Sequence, residues 1–168
     1  QTERLKYGQL CEKYKVNYIP RLNKGMDIGA FKDVCQRVIK LEYDNILWIT
    51  DDTIPMVKDF VSKFTQKMEA HIGLTCMEIA SHRAPLHVRT TGFCIRRALA
   101  EKLTFKDILT KEDCYYFEHR GGVNTLLNQM VMMGYFAEQV APLETSPLWD
   151  THNRAHLKRM AEHEAVFG

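Results

Sequence analysis

The sequence predicts an α/β domain in which helices cover both faces of a mostly parallel, mixed sheet, giving a three-layer α/β/α sandwich. Two patterns carry this prediction. Helix and strand signatures alternate through residues 2–79, and the segment Ile46–Thr50 is an apolar run typical of a strand buried on both faces. The chain has 168 residues, 45% of them hydrophobic, which is enough to bury one core. Because no repeat or linker interrupts it, we expect residues 1–168 to form one domain.

The first half of the chain alternates helices with strands. Apolar residues three and four positions apart indicate the helices, with Asp27 as the N-cap of the second and Pro55 in the first turn of the third. The predicted helices cover residues 2–14, 27–40 and 53–68. The predicted strands cover residues 16–19, 46–50 and 72–79.

The second half continues the pattern with a longer polar interruption. A strand over residues 88–95 leads into a short helix over 96–103, and residues 104–114 are predicted to form a loop. The remaining predicted elements are a helix over 117–133, a strand over 136–140 and a terminal helix over 151–166.

Composition excludes several classes of protein. The formal net charge of +2 is too small for a chain whose main work is to bind nucleic acid. The longest apolar run, Ile46–Ile49, is far shorter than the roughly 20 residues of a transmembrane helix, and the polar start does not resemble a secretion signal. The five scattered cysteines indicate reduced thiols that mostly fill the core. The sequence therefore predicts a cytoplasmic protein without a membrane segment.

The most informative motif is the carboxylate pair Asp51-Asp52, which directly follows the strand predicted over residues 46–50. Ligands of open α/β sheets bind outside the carboxyl ends of the strands. Carboxylates suit Mg²⁺ or Mn²⁺, to which substrate phosphates add further ligands. The pair therefore indicates a site for a metal and a diphosphate. The alternative is that both residues cap the helix that begins near Pro55.

Three segments together resemble the nucleotide-sugar glycosyltransferases of the GT-A fold, over roughly residues 16–141. They are Asn23–Phe31 (NKGMDIGAF), Tyr43–Pro55 (YDNILWITDDTIP) and Thr91–Arg97 (TGFCIRR). In that family a glycine-containing loop and a helix precede a strand that ends in the metal-binding Asp motif. A later Gly-aromatic-x-x-Arg-Arg segment lines the acceptor side.

The resemblance implies roles for individual residues. Asp52 matches the metal ligand and Asp51 the carboxylate near the sugar or ribose, where it too can contact the metal. The Glu112-Asp113 pair resembles the segment that supplies the base in inverting members, so Asp113 is the first candidate for that base and Glu118 the second. Further candidates for binding the nucleotide sugar are Asn23, Lys24, Asp27 and Arg96.

A C-terminal histidine returns to the metal in some enzymes of this family. The segment Trp149–His152 makes His152 a candidate third metal contact, and a solvated helix face is the alternative role for this histidine. Zinc is not expected, because no cysteine pair lies near the C-terminal histidines.

The start of the chain departs from the family pattern. Members begin with an apolar strand that carries the base-binding loop, whereas this sequence opens on a helix. A sheet without that strand has an unpaired edge. We therefore expect either a missing N-terminal segment or a chain that associates with a partner or with itself.

The resemblance implies a function. We expect a transferase that moves a sugar from a nucleotide diphosphate sugar to a saccharide or another hydroxyl acceptor, with Mn²⁺ or Mg²⁺ at the Asp pair and inversion as the favoured outcome. One alternative is a nucleotidyltransferase of related fold, although the phosphate-binding loop rich in glycine and basic residues is missing from the sequence. The other alternative is a catalytically silent scaffold or binding subunit.

Overall fold

The computed structural model describes residues 2–40, 42–50, 53–55, 57–80, 85–140 and 149–150. The helices are α1 (Thr2–Lys13), α2 (Met26–Cys35), α3 (Phe60–Thr65), α4 (Arg97–Ala100), α5 (Lys111–Tyr115) and α6 (Leu126–Met132). A π-helical turn, Tyr116–Arg120, and a 3₁₀ turn, Gly122–Asn124, connect α5 to α6. The strands are β1 (Asn45–Ile49), β2 (Ile54–Pro55), β3 (Ile72–Cys76), β4 (Ile79–Ala80), β5 (His87–Val88), β6 (Gly92–Arg96), β7 (Phe136–Gln139) and β8 (Trp149–Asp150).

A four-stranded mixed sheet forms the centre of the domain, with the strand order β1-β6-β3-β7. β6 is antiparallel to both β1 and β3, whereas β3 and β7 are parallel, so three strands share one direction and β6 is reversed. Two short antiparallel pairs, β2–β8 and β4–β5, lie outside this sheet. The chain is therefore a mixed α/β protein, as the alternation of helix and strand patterns predicts. The expected mostly parallel pairing is not found in the described sheet, because the reversed strand β6 lies between β1 and β3 and makes two of the three pairings antiparallel.

Side chains alternate between the two faces of the sheet and meet helices on each. On one face, Ile95 belongs to a buried cluster that includes Phe31 of α2 and Met130 of α6. On the other face, Cys94 belongs to a second cluster with Phe64 of α3. Described helices thus pack on both sides of the sheet.

Strand β1 is not buried on both faces, so this prediction from the apolar run is wrong. β1 lies at one edge of the described sheet, and Ile49 at its end is 40% exposed. Within the described four-stranded sheet, the strand with every residue buried is β3. An apolar run shows that a segment can be buried, but the number of neighbouring strands is set by the topology.

The sequence predicts an unpaired sheet edge, and β1 forms one edge of the described sheet. Among the residues that the structure describes, only β6 pairs with β1, and no strand lies along its other edge. Val16–Ile19, predicted as a strand, has no regular secondary structure, and Val16, Tyr18 and Ile19 are exposed. The association or missing segment that the sequence predicts remains a prediction.

Several predicted elements are shorter or interrupted. The helix predicted over residues 27–40 ends at Cys35. Two residues later, Arg37 has a left-handed φ of 58°, which does not continue a right-handed helix. Of the helix predicted over residues 53–68, only α3 is helical. Residues 54–55 instead form a strand that pairs with residues 149–150. The strand predicted over residues 88–95 is divided between β5 and β6.

Two predicted segments near the C-terminal half also differ. The loop predicted over residues 104–114 contains α5 at its end, and the helix predicted over 117–133 is divided into π, 3₁₀ and α turns. The helices over residues 2–14 and 96–103 are confirmed in shorter form as α1 and α4, and the strand over 136–140 is confirmed as β7. The predicted terminal helix over 151–166 lies outside the described residues.

The cysteines are free thiols, as the sequence predicts. Cys35, Cys76, Cys94 and Cys114 are buried, and Cys11 is partly buried. Burial raises the pKa of Cys35 and of Cys76 to about 12. These thiols are therefore protonated near neutral pH and fill the core. Within the described part of the chain, no helix is both long and apolar enough to cross a membrane.

Candidate functional site

An open cleft of about 710 Å³ lies at the carboxyl end of β1. The end of β1, the start of α2, the residues that lead into β6, and the α5–π-helical segment form its walls. Its charged lining includes Asp27, Arg89, Lys111 and Glu118. The cleft therefore occupies the position where open α/β sheets bind their ligands.

Threonine hydrogen bonds fix the chain on both sides of the carboxylate pair. The Thr50 amide donates to the Thr91 carbonyl at 3.2 Å, and the Thr53 amide donates to the Thr50 carbonyl at 3.0 Å. The Thr53 hydroxyl also donates to Thr91, at 3.3 Å. Thr50 lines the cleft. Asp51 and Asp52 lie between these threonines in sequence and outside the described residues.

The start of α2 forms a second wall of the cleft. Asn23 and Asp27 line it, and Lys24 lies in the same loop, where its carbonyl accepts a 2.9 Å hydrogen bond from Arg21. The N-cap is Gly25 rather than the predicted Asp27, because the helix begins at residue 26. Asp27 in the first turn interacts favourably with the helix dipole.

Gly25 allows this loop to approach its neighbour closely. Its φ is 68°, and a Cβ atom there would lie 2.3 Å from the Ile108 carbonyl oxygen. We expect Gly25→Ala to lower the free energy of unfolding by about 1–3 kcal/mol, through backbone strain and this contact, as measured by urea unfolding. Gly134→Ala is the control, because Gly134 also has a positive φ but has nothing within 4 Å of an added Cβ. An equal loss in both variants would show that the Ile108 contact costs nothing.

Glu118 is the buried carboxylate of the cleft. It is 8% exposed, and its Oε1 atom accepts a hydrogen bond from the Thr90 amide at 3.1 Å. Arg89 Nε lies 3.4 Å from the same oxygen. His119 Nδ1 lies 3.4 Å from the other oxygen, Oε2. Of these three neighbours, the Thr90 amide forms a hydrogen bond, whereas Arg89 Nε and His119 Nδ1 lie close to the carboxyl oxygens without forming one.

Asp113, the first candidate for the base, instead caps a helix. Its Oδ2 atom accepts hydrogen bonds from the Thr110 hydroxyl at 2.7 Å, the Thr110 amide at 2.8 Å and the Leu109 amide at 3.1 Å. The Thr110 hydroxyl in turn accepts from the Asp113 amide, which completes a capping box. These bonds, the Thr110 hydroxyl first, hold the pKa of Asp113 below its usual value of 3.8. Asp113 is not among the residues that line the cleft.

The capping role of Asp113 predicts a pH-dependent stability. Because its folded-state pKa is lowered, the carboxylate stabilises the fold above the unfolded-state pKa, and this contribution disappears as the pH falls through the lower value. We expect Asp113→Asn to be less stable than the wild type at neutral pH. The difference should shrink on acidification below about pH 5, as measured by urea unfolding across that range. Equal stability at neutral pH would contradict this role.

Arg96 is placed far from the other candidates. It ends β6 and pairs in register with Asn45, at the end of β1 opposite the cleft. Its guanidinium donates to the carbonyls of Ile72 at 3.1 Å and Met68 at 2.9 Å, so it fixes the turn before β3. The structure therefore does not bring Arg96 together with Asn23, Asp27 and Glu118.

The described residues contain no ready-made metal site. Among them, no group of three or more His, Cys, Asp or Glu side chains is arranged to hold a metal ion. The predicted ligands Asp51, Asp52 and His152 all lie outside the described residues.

Sequence reasoning missed the arrangement around Glu118. His119 and Tyr115 come together with it through the π-helical turn, which no spacing in the sequence predicts. The adjacent glycines Gly121 and Gly122 are the signal that could have indicated a break in the predicted helix.

No protein-family model, curated protein or solved structure matches this chain. Any functional conclusion therefore depends on the residues and geometry of the cleft.

Proposed function

We propose that this protein transfers a sugar from a nucleotide diphosphate sugar to a hydroxyl acceptor in the cleft at the carboxyl end of β1. The observation that carries the proposal is the position of this cleft, which is lined by Thr50, the residue directly before Asp51-Asp52. Arg89 and Lys111 add positive charge, and Glu118 adds a buried carboxylate. Anion-binding groups and a base in one cleft are what such a transfer requires.

The side chains proposed as metal ligands fit a hard divalent cation. Asp52, with Asp51 beside it, would hold Mn²⁺ or Mg²⁺, and His152 is proposed as a further ligand. Such an ion, when bound, neutralises the charge that develops on the diphosphate. Asn23 and Asp27, on the opposite wall, are proposed to orient the donor.

Glu118 is proposed as the general base because it lies in the cleft, whereas the Asp113 carboxylate is occupied by its cap. The acceptor hydroxyl gives its proton to the Glu118 carboxylate as its oxygen forms a bond to the anomeric carbon. The bond from that carbon to the diphosphate oxygen breaks, and its electron pair leaves with the nucleoside diphosphate. This single displacement inverts the anomeric carbon.

A ligand screen tests the proposal. Wild-type protein is mixed with Mn²⁺ and a panel of nucleotide sugars and followed by thermal unfolding, with release of nucleoside diphosphate measured in parallel. A ligand at about 100 times its Kd stabilises the native state by about 2.7 kcal/mol, so a binding donor should raise the Tm. The proposal fails if no nucleotide sugar raises the Tm in the presence of Mn²⁺ and none is consumed.

A second candidate, a binding subunit that keeps the sheet as a scaffold, is favoured by the free edge of β1 in the described sheet. The exposed side chains Tyr7 and Leu10 of α1, with Tyr14 directly after it, are a further apolar surface. Such a subunit would associate through these surfaces and would show no metal-dependent nucleotide affinity. Light scattering together with the ligand screen separates the two functions.

A further inference from the structure

Glu118 and His119 are consecutive residues whose side chains meet, which is unusual for a helix. On an α-helix, side chains one position apart do not face each other. Here the Glu118 carboxylate and the His119 imidazole approach to 3.4 Å. Both residues lie in the π-helical turn, which is closed by a 2.8 Å hydrogen bond from the Gly121 amide to the Tyr116 carbonyl. Such turns occur frequently at functional sites.

The imidazole of His119 is held in place by two aromatic neighbours. Its ring centroid lies 5.0 Å from that of His87 and 5.4 Å from that of Tyr115. His87 is itself fixed by a 2.9 Å hydrogen bond between its Nδ1 atom and the Pro85 carbonyl. The His119 ring therefore packs between a strand residue and a helix residue.

The two oxygens of Glu118 have different partners. Oε1 accepts a hydrogen bond from the Thr90 amide and lies 3.4 Å from Arg89 Nε. Oε2 has His119 Nδ1 as its polar neighbour, and Nδ1 is buried and has no hydrogen-bond partner within the usual geometric limits. The 3.4 Å contact is near the upper distance for a hydrogen bond and is not aligned as one, and catalytic hydrogen bonds that are long or poorly aligned in a free enzyme tighten when a ligand binds.

We propose that His119 is a positioning residue for Glu118. The Nδ1–H group of His119 holds Oε2, so that the carboxylate keeps one orientation while it takes the proton of the acceptor hydroxyl. This inference rests on the proposed glycosyl transfer, in which that proton moves to Glu118 as the new bond to the anomeric carbon forms. His119 itself gains and loses no proton in the step.

Two variants separate positioning from packing. His119→Phe keeps a ring to pack on His87 and Tyr115 but removes Nδ1, whereas His119→Asn removes the ring and keeps an N–H donor near the position of Nδ1. We expect His119→Phe to lower kcat up to about 100-fold, because misplacing a reacting group by 1 Å has that effect. The KM for the nucleotide sugar should stay within about twofold, because the variant removes no contact that binds the substrate equally in the ground state and the transition state. His119→Asn should recover most of the lost kcat.

A spectroscopic measurement tests the contact without any activity. The ¹⁵N resonances of the histidine rings are recorded for the wild type and for Glu118→Gln. We expect the His119 Nδ1 resonance to shift, whereas the resonances of His71, which packs on Phe136, should stay unchanged. An unshifted His119 resonance overturns the inference, whatever the His119 variants do.

The remaining outcomes are also decisive. Unchanged kcat in a folded His119→Phe protein, or no recovery in His119→Asn, overturns the positioning role. If the wild type releases no nucleoside diphosphate from any nucleotide sugar, the proposed function fails and the positioning role fails with it. The histidine resonances then still show whether the Glu118 contact exists, so the two failures are distinguishable.

Discussion

Asp52→Asn is expected to abolish metal-dependent nucleotide binding while leaving the fold intact. Asparagine keeps the size of the side chain but removes the negative charge that a hard divalent cation requires. We expect the affinity for a nucleoside diphosphate in the presence of Mn²⁺ to fall by at least about 100-fold, since even outer ligand-orienting residues contribute 10- to 100-fold. Isothermal titration calorimetry measures this affinity.

Asp59→Asn is the matched control for this change. Asp59 is an exposed carboxylate next to α3, and it forms a 2.9 Å ion pair with Lys63 four residues later. Asp59→Asn makes the same chemical change away from the cleft, and an exposed ion pair of this kind contributes little to stability. Unchanged nucleotide affinity in Asp52→Asn, or an equal loss in Asp59→Asn, would rule out the metal assignment.

Glu118→Gln is expected to lower turnover by roughly 10²- to 10⁴-fold, the range for loss of a general base. Glutamine keeps an oxygen that can accept the hydrogen bond from the Thr90 amide. The Thr90 hydrogen bond is thus retained, whereas the ion pair with Arg89 and the ability to take a proton are lost. We expect donor affinity to remain nearly unchanged, so that kcat and kcat/KM fall together.

Asp113→Asn distinguishes the two carboxylates. If Glu118 is the base, Asp113→Asn changes stability through its cap and has little effect on turnover. If turnover instead collapses in Asp113→Asn and survives in Glu118→Gln, the base is Asp113, as the family resemblance implies. The comparison requires both variants to be folded at the assay temperature, which thermal unfolding checks.

The fold could be predicted from the sequence as far as local patterns determine it. The apolar run that forms β1 and the periodicity of α1 are properties of consecutive residues, and both elements are present. The edge position of β1 depends on which strands pair. That pairing depends on contacts distant in sequence, which periodicity does not record.

The candidate site was predictable only in part. The strand that precedes Asp51-Asp52 ends at a cleft, as the general rule for α/β sheets predicts. The capping role of Asp113 could also have been found, because Thr110 and Asp113 have the spacing of a capping box. The contact between Glu118 and His119 could not, because a π-helical turn depends on how the chain packs against residues 87–90.

Paramagnetic relaxation by Mn²⁺ tests the central claim, a metal and diphosphate site at the carboxyl end of β1, most directly. Amide resonances of ¹⁵N-labelled protein are followed as Mn²⁺ is added with a nucleoside diphosphate. We expect Thr50, Thr53 and Thr91, whose backbones meet at the cleft, to broaden first, while Met132 at the end of α6 is spared. Asp52→Asn should remove this selective broadening. Broadening that is uniform, or that begins at residues remote from the cleft and is the same in Asp52→Asn, would contradict the account.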